Sequence, residues 1–214
     1  MHTRKKYLII FLFISSISMN GQNSNINFGI KTGLNYSNFK LNSSLEKVEL
    51  IESENEIGFQ VGGFVNFKIH KKFNIQTELL FNNLNTSGLI QEFIRTSPNE
   101  AVLQRFELNL NETGINFPVV IQYLIFNKFH LEAGIEMKYI IQQKLKKEYL
   151  PGPFEPLSNE SLYFDYNSIN LNLALGINYR ISNKFGINTR YYHNLDNKNS
   201  IIMRNFNLGI EYHL

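Results

Sequence analysis

From Ile26 onward the sequence alternates apolar and polar residues with a period of two, and this pattern constrains the fold more than any other feature. Because successive side chains of a β-strand point to opposite faces, the alternation indicates strands with one apolar and one polar face. The clearest case is 129–142, where odd positions carry apolar side chains and even positions carry most of the charges.

Eight segments with this pattern are predicted as strands: 26–37, 57–69, 73–82, 115–125, 129–142, 168–181, 185–193 and 201–214. Short turns at 70–72, 126–128 and 182–184 alternate with longer loops. Alternating short and long connections are typical of outer-membrane barrels. We therefore predict an all-β fold, an eight-stranded antiparallel up-and-down transmembrane β-barrel, integral to the cell outer membrane, with both termini periplasmic.

The polar face is rich in Asn and Gly, which suit a narrow lumen better than a wetted surface. A lone buried charge is costly, so inward charges are expected to pair. We predict a lumen ion-pair network of Lys31, Lys68, Glu78, His130, Glu132, Glu136, Lys138, Arg180, Arg190 and Glu211. On the apolar face of the predicted strands, Arg204 is the one charged residue.

Aromatic residues of the apolar face cluster towards both ends of the predicted strands, as expected at the two lipid interfaces of a barrel. The predicted interface aromatics are Phe28, Tyr36, Phe67, Phe73, Phe81, Tyr123, Phe129, Tyr139, Tyr179, Phe185, Tyr191 and Tyr212. A soluble barrel has the same alternation with its apolar face inward around a ligand, and this remains an alternative. A barrel of eight strands is just wide enough to be filled by its own side chains, which argues against a general porin.

The fourth predicted strand is irregular. Apolar residues stand at even positions from Phe106 to Leu110 and at odd positions from Ile115 onward. This change of parity near 111–114 predicts a bulge or a break, with a strand that begins near Arg105 and protrudes from the membrane. Pro118 is predicted to face inward, where it donates no ladder hydrogen bond.

The amino terminus has the features of an export signal. A basic start, with Arg4, Lys5 and Lys6, precedes the apolar run 7–14, which is shorter than the ~20 residues of a membrane-spanning helix. We predict a signal peptide over 1–22, cleaved between about 18 and 22, and a barrel domain over 23–214. The net charge of +3 is accounted for by those three cations, so no nucleic-acid partner is indicated.

Several short motifs follow one another along the predicted strands: Gly29–Asn35, Gly58–Gly62, Lys72–Leu80, Ile115–Val120 and Leu131–Gly134. In order and spacing these motifs resemble the outer-membrane β-barrel family of Bacteroidota that includes PorT-like proteins. The chain departs from that family at Leu214, where an aromatic residue is commoner. The resemblance implies an eight-stranded barrel inserted by the barrel-assembly machinery, and for some members a role in secretion or gliding.

Two clusters invite a chemical interpretation. His130, Glu132 and Glu136 share one face, but alternate strand residues are about 6.6 to 7 Å apart, so a single ion reaches two of them at best. We therefore predict no metal and no cofactor. The trio His193, Asp196 and Ser200 near the outer rim is the one arrangement that resembles a nucleophile with its base.

The predicted function is that of a non-enzymatic structural barrel, or an accessory to a cell-envelope or secretion complex. The alternatives are an outer-membrane lipid-modifying enzyme and a soluble periplasmic ligand-binding barrel. The expected partners are outer-membrane lipid, lipopolysaccharide and other envelope proteins. A basic patch of Lys144, Lys146 and Lys147 is a candidate contact for lipopolysaccharide phosphates, whereas the acidic segment 40–56 is predicted to be a solvated loop.

Overall fold

A computed structural model of the chain describes residues 25–41, 48–97, 100–151, 160–164, 168–195 and 201–214. These residues form nine strands: β1 (Ile26–Leu41), β2 (Val48–Lys68), β3 (Phe73–Ser97), β4 (Glu100–Phe126), β5 (Phe129–Tyr149), β6 (Glu160–Phe164), β7 (Ser168–Arg180), β8 (Phe185–Asn194) and β9 (Ile201–His213). Within these ranges no helix is long and apolar enough to cross a membrane. The predicted signal peptide lies outside the described residues.

The strands form one antiparallel sheet that closes on itself. Its ring order is β1, β2, β3, β4, β5, β7, β8 and β9, and pairing of β9 with β1 completes the circle. Strand β6 pairs with β5 beyond the start of β7, so β6 and β7 share one position in the ring. The predicted eight-stranded up-and-down barrel is thus confirmed, and its closure gives the backbone groups the internal partners that hydrocarbon requires.

The two faces of the barrel are sorted as the alternation predicts. Outward side chains such as Ile30 and Leu208 are more than half exposed, whereas inward side chains such as Lys31 and Asn35 are fully buried. The apolar surface is therefore on the outside, opposite to the arrangement of a soluble ligand-binding barrel.

Four strands are much longer than predicted. Strand β2 begins at Val48, β3 continues to Ser97, β4 begins at Glu100, and β5 continues to Tyr149. The long loop expected over 83–114 is in fact mostly a β-hairpin, and the acidic segment expected to be a loop is strand from residue 48. Together with β6, the segments 48–56, 84–97, 100–112 and 143–149 form a strand extension at the end of the barrel opposite the short turns.

The strand extension explains the parity change on β4. Even-numbered side chains face inward along the whole of β4 from Gln104 to Gln122, so the strand itself contains no break. What changes is the chemistry of the two faces: Phe106 points inward in the extension, whereas Val119 points outward in the barrel. A register shift does occur at the predicted level, but the additional residue, Ile141, belongs to β5.

The extension has a small apolar core of its own. The extension contributes Leu84, Ile90, Phe106, Leu108 and Leu110, and the ends of β1 and β9 contribute Phe39 and Met203, with Leu50, Leu145 and Tyr149 packed against them. Apolar residues thus face inward where the outer surface is polar, as in a water-exposed sheet. Arg204 lies at this level beside Met203 and opposite Asn38, so its outward charge stands where the outer surface has turned polar.

Pro118 faces inward and is buried, as predicted. Between β3 and β4 the ladder pairs Thr77 with Val119 and Leu80 with Asn116, but the two positions between them are unpaired. The register does not shift across this gap. The missing N–H of proline is therefore absorbed by a local interruption of pairing.

Candidate functional site

The barrel lumen holds a buried layer of charges, which we call the ionic layer. The Lys31 ammonium lies 3.1 Å from Glu78 and 3.5 Å from Glu211. The Arg190 guanidinium donates from Nη2 to Glu78 and from Nε to Glu132, at 2.9 Å in each case. These five side chains come from β1, β3, β5, β8 and β9, so the layer joins most of the ring.

Amide side chains donate to the carboxylates of Glu211 and Glu132 in the ionic layer, whereas Glu78 Oε2 is buried without a partner among the described residues. Glu211 accepts hydrogen bonds from Gln76 at 2.9 Å, Asn178 at 2.7 Å and Asn188 at 2.8 Å. Gln122 donates to Glu132 at 2.8 Å. Hydrogen bonds to charged groups stabilise carboxylates that are buried away from bulk solvent, which explains why Asn and Gln are so common on the inward face.

A second polar layer lies between the ionic layer and the apolar core of the extension. Lys138 contacts Glu112 at 2.6 Å. Glu136 accepts from Asn116 at 2.9 Å and from Asn172 at 2.8 Å. The cavity at this level has a volume of about 10 Å³, which is room for roughly one water molecule.

The predicted network is divided in the structure. Lys31, Glu78, Glu132, Arg190 and Glu211 meet in the ionic layer, and Lys138 and Glu136 lie in the second layer. Lys68 is exposed at the short-turn end, where His130 is buried and Arg180 is half-buried. In the described ranges, none of those last three side chains joins an ion pair of the lumen.

Glu112 was missed as the partner of Lys138. The sequence pattern predicted a bulge or a break in the strand near residue 112. In the structure β4 continues through this position without a break, so residue 112 faces inward. The signal was available in the spacing, because residue 112 is an even number of positions from Asn116 and Gln122, which face inward in the barrel.

The lumen is filled at both ends of the ionic layer. Towards the short turns, the Phe64 ring meets the His213 ring edge-on with centroids 5.0 Å apart. Towards the extension, Val120, Ala174 and Tyr192 are packed together and buried, and the apolar core of the extension lies beyond them. The side chains therefore close the lumen instead of lining a channel.

Of the three residues predicted as a candidate catalytic trio, His193 alone lies among the described residues. His193 lies on β8 with its side chain outward and exposed, and its ring centroid is 6.3 Å from that of Tyr191. Asp196 and Ser200 lie outside the described residues. Among the described residues, no group of three or more His, Cys, Asp or Glu side chains is placed to hold a metal ion.

A family model described as an outer membrane protein beta-barrel domain matches residues 20–198. The chain belongs to this family. It is therefore an integral outer membrane protein, and its exposed apolar face is the surface that contacts lipid. Curated protein sequences give no significant match.

Solved outer membrane proteins align with most of the chain at low sequence identity. The chain superposes on Ail, the attachment invasion locus protein of Yersinia pestis, with a TM-score of 0.50 and 11% identity, covering 89% of this chain and 99% of Ail. Neisserial surface protein A aligns with a TM-score of 0.43 and 13% identity, covering 86% of this chain and 96% of that chain. At such identity the likeness to Ail supports the fold alone.

The predicted interface aromatics of this outer membrane barrel project from its apolar face in two groups. Phe28, Phe67, Phe73, Tyr123, Phe129, Tyr179, Phe185 and Tyr212 lie near the short turns, and Tyr36, Phe81, Tyr139 and Tyr191 lie near the extension. Ring pairs join neighbouring strands, with centroids 4.9 Å apart for Phe73 and Tyr123 and 5.1 Å apart for Phe185 and Tyr212. Their role at the two lipid interfaces stays a prediction.

A polar band lies two outward positions beyond the last apolar pair of β3 and β4. Asn85, Asn111 and Lys144 are paired across β3, β4 and β5, and Asn111 donates to Asn85. Lys146 forms an ion pair with Glu148 on the same side. Lys147 does not join this band, since its ammonium lies 4.5 Å from the centre of the Phe106 ring.

Proposed function

We propose that this outer membrane barrel is a non-enzymatic structural protein, or an accessory to a cell-envelope or secretion complex, that presents its strand extension to other envelope components. The observation that carries the proposal is the combination of a filled lumen with a self-supporting extension. The charged groups of the ionic layer are paired with one another and hydrogen-bonded to amides inside a filled lumen, which supports a structural role for them.

The strand extension has the properties of a contact surface. Its apolar core keeps the strands ordered beyond the membrane, while outward side chains such as Arg105 and Glu52 are exposed to water. Exposed polar residues on a rigid scaffold are a common basis for recognition. The extension therefore offers partner proteins a surface at a fixed height above the lipid.

Lipopolysaccharide is the proposed lipid partner of the polar band. Asn85, Asn111 and Lys144 stand two outward positions beyond the apolar surface, and we place them at the level where lipid headgroups begin. Ammonium and amide groups at this height suit phosphate and sugar oxygens. The acidic flank of β2, which carries Glu52 and Glu54, lies on another part of the extension and suits protein contacts instead.

The family affiliation, the insertion route, the orientation of the termini and the absence of catalysis are also part of the proposal. The motifs from Gly29 to Gly134 support a PorT-like affiliation within Bacteroidota, and insertion by the barrel-assembly machinery. Short turns on one side and a long extension on the other support periplasmic termini, because outer membrane barrels keep their short turns in the periplasm. His193 points away from the lumen charges, which supports a role without catalysis.

Site-specific photo-crosslinking in cells tests this function. A photoreactive residue is introduced at Arg105 or Asn109 on the outer side of the extension, and at Leu208 on the lipid-facing surface as the matched control. We expect protein adducts at the two extension positions and lipid adducts, without protein, at position 208.

Two further measurements test the alternatives of a lipid-modifying enzyme and an ion-conducting channel. Lipid A from a deletion strain should have the same mass spectrum as lipid A from the parent strain, and a change restored by the wild-type gene would establish the enzyme instead. Purified protein in planar bilayers should show no steady ionic conductance. Absence of any protein adduct on the extension would contradict the accessory role.

A further inference from the structure

The short-turn end of the barrel opens into a cavity of about 260 Å³. Its wall carries four cations, Lys68, Lys71, Lys128 and Arg180, and the described lining residues include no carboxylate. A concave surface lined by one sign of charge concentrates counter-ions, so this cavity attracts anions. We call it the basic vestibule.

The cations of the basic vestibule come from three separate parts of the chain. Lys68 ends β2 and Lys71 lies in the turn that follows, Lys128 lies in the β4–β5 turn, and Arg180 ends β7. Asn127 adopts a positive φ of 47°, a conformation that Asn tolerates, and so allows the tight turn that places Lys128. The barrel fold therefore brings these four cations together from different strands and turns, and no single basic turn supplies them.

Two polar atoms of the vestibule wall have no partner. His130 Nδ1 and Arg180 Nε are buried and form no hydrogen bond in the described structure. His130 is only 7% exposed, and both side chains line the cavity. Because neither atom is accessible to solvent, a ligand in the cavity reaches these two side chains through their other atoms.

The acidic groups deeper in the lumen do not neutralise the vestibule. Glu132 is held by Arg190 at 2.9 Å, and Glu211 is held by Lys31 at 3.5 Å and by Asn178 at 2.7 Å. The ionic layer contains two cations and three carboxylates, so its formal charge of −1 offsets only one of the four vestibule cations. The four cations at the mouth therefore keep an excess of positive charge.

We propose that the basic vestibule binds a phosphate-class oxyanion. Arg180 supplies a planar fork that matches phosphate oxygens, and the three lysines supply further charge at the rim. A monocarboxylate compensates one of the four cations, whereas a polyvalent phosphate compensates several. The phosphate belongs either to a free soluble anion or to a phospholipid headgroup that enters the mouth of the barrel.

Calorimetric titration of the full chain with inorganic pyrophosphate, in an uncharged maltoside detergent, tests the proposal. We expect one saturable site whose affinity falls with added salt. Lys68→Gln and Arg180→Gln should each weaken binding by about tenfold or more, since each removes a charge-assisted contact. Lys40→Gln removes an exposed cation at the opposite end of the barrel, so it is the control and should leave the affinity unchanged.

Absence of saturable pyrophosphate binding by the wild type would overturn the proposal, as would affinities within about twofold of the wild type for both vestibule variants. Heat-modifiable gel migration checks that the Arg180→Gln variant folds. If that variant does not fold, the Lys68→Gln variant alone provides the test, because Lys68 is exposed and its replacement should not disturb folding. Repeating the titration in phosphatidylcholine nanodiscs shows whether the site takes a free anion or the phosphate of a lipid headgroup. Weaker binding there than in detergent indicates competition by headgroup phosphate, and equal binding indicates a free anion.

Discussion

Arg190 and Glu78 form a hydrogen-bonded ion pair across the lumen, with Nη2 and Oε1 2.9 Å apart, although their strands β8 and β3 lie four positions apart in the ring. With eight strands in the ring, these two strands face each other. The pair therefore ties opposite walls of the barrel together, and Arg190 extends the connection to Glu132 on β5.

Replacing Arg190 by Met should destabilise the barrel strongly. The change leaves Glu78 and Glu132 buried with fewer partners, and removal of one member of a buried ion pair typically costs about 3–5 kcal/mol. Urea unfolding in lipid vesicles, followed by far-ultraviolet circular dichroism, measures the loss in the free energy of unfolding.

Arg105→Met serves as the control for this measurement, because Arg105 is exposed on the extension. A surface substitution of this kind changes stability by roughly 0.5 kcal/mol or less. If Arg190→Met were no more destabilising than Arg105→Met, the ionic layer would not be the element that holds the barrel walls together.

The cost in stability of a charge on the outer face of β4 should depend on whether its position lies within the membrane or beyond it. Asn109 and Val119 both point outward, but Asn109 lies in the extension and Val119 lies in the middle of the apolar surface. Val119→Arg should cost about 2–4 kcal/mol, as for Arg at the bilayer midplane, whereas Asn109→Arg should cost about 0–1 kcal/mol. Urea titration of both variants in vesicles compares them directly, and equal costs would contradict the placement of the membrane boundary.

The transmembrane part of the fold was predictable from the sequence because one rule holds there without exception: outward side chains meet lipid and inward side chains meet one another. The same rule fails in the extension, where the outer side meets water. Phe106 therefore points inward although the lipid-facing Val119 points outward on the same strand. Periodicity reports which residues share a face, but it does not report which solvent that face meets.

The lumen network was predictable by face but not by depth. Alternation correctly grouped Arg190 with Glu78 and Glu132 on the inward side. It also grouped Lys68 and Arg180 with them, although the structure places those two at the mouth of the barrel. The height of a residue depends on strand register and tilt, which are properties of the assembled ring and not of one strand.

Phe106→Ala should loosen the extension while leaving the barrel folded. Phe106 is buried in the apolar core of the extension, and truncation of such a side chain typically costs about 3–5 kcal/mol. Because that core contributes little to the ionic layer, we expect faster proteolysis of the segment 84–112 with heat-modifiable migration unchanged. Val119→Ala, on the lipid-facing surface, is the control and should not increase proteolysis. Loss of heat-modifiable migration in Phe106→Ala would show that extension and barrel fold as one unit.

Gly62 and Gly63 provide a matched pair on β2, since adjacent residues of a strand point to opposite faces. A Cβ on inward-facing Gly62 would lie 2.0 Å from the Leu79 carbonyl oxygen, whereas a Cβ on Gly63 would have its nearest neighbour at 3.5 Å. Backbone cannot yield as a flexible side chain does, so Gly62→Ala should destabilise by about 1–3 kcal/mol. Gly63→Ala should stabilise by about 0.5–1 kcal/mol, because Gly weakens a strand interior. Urea midpoints of the two variants measure this difference, and a destabilised Gly63→Ala with an unaffected Gly62→Ala would show that the two faces of β2 are assigned the wrong way round.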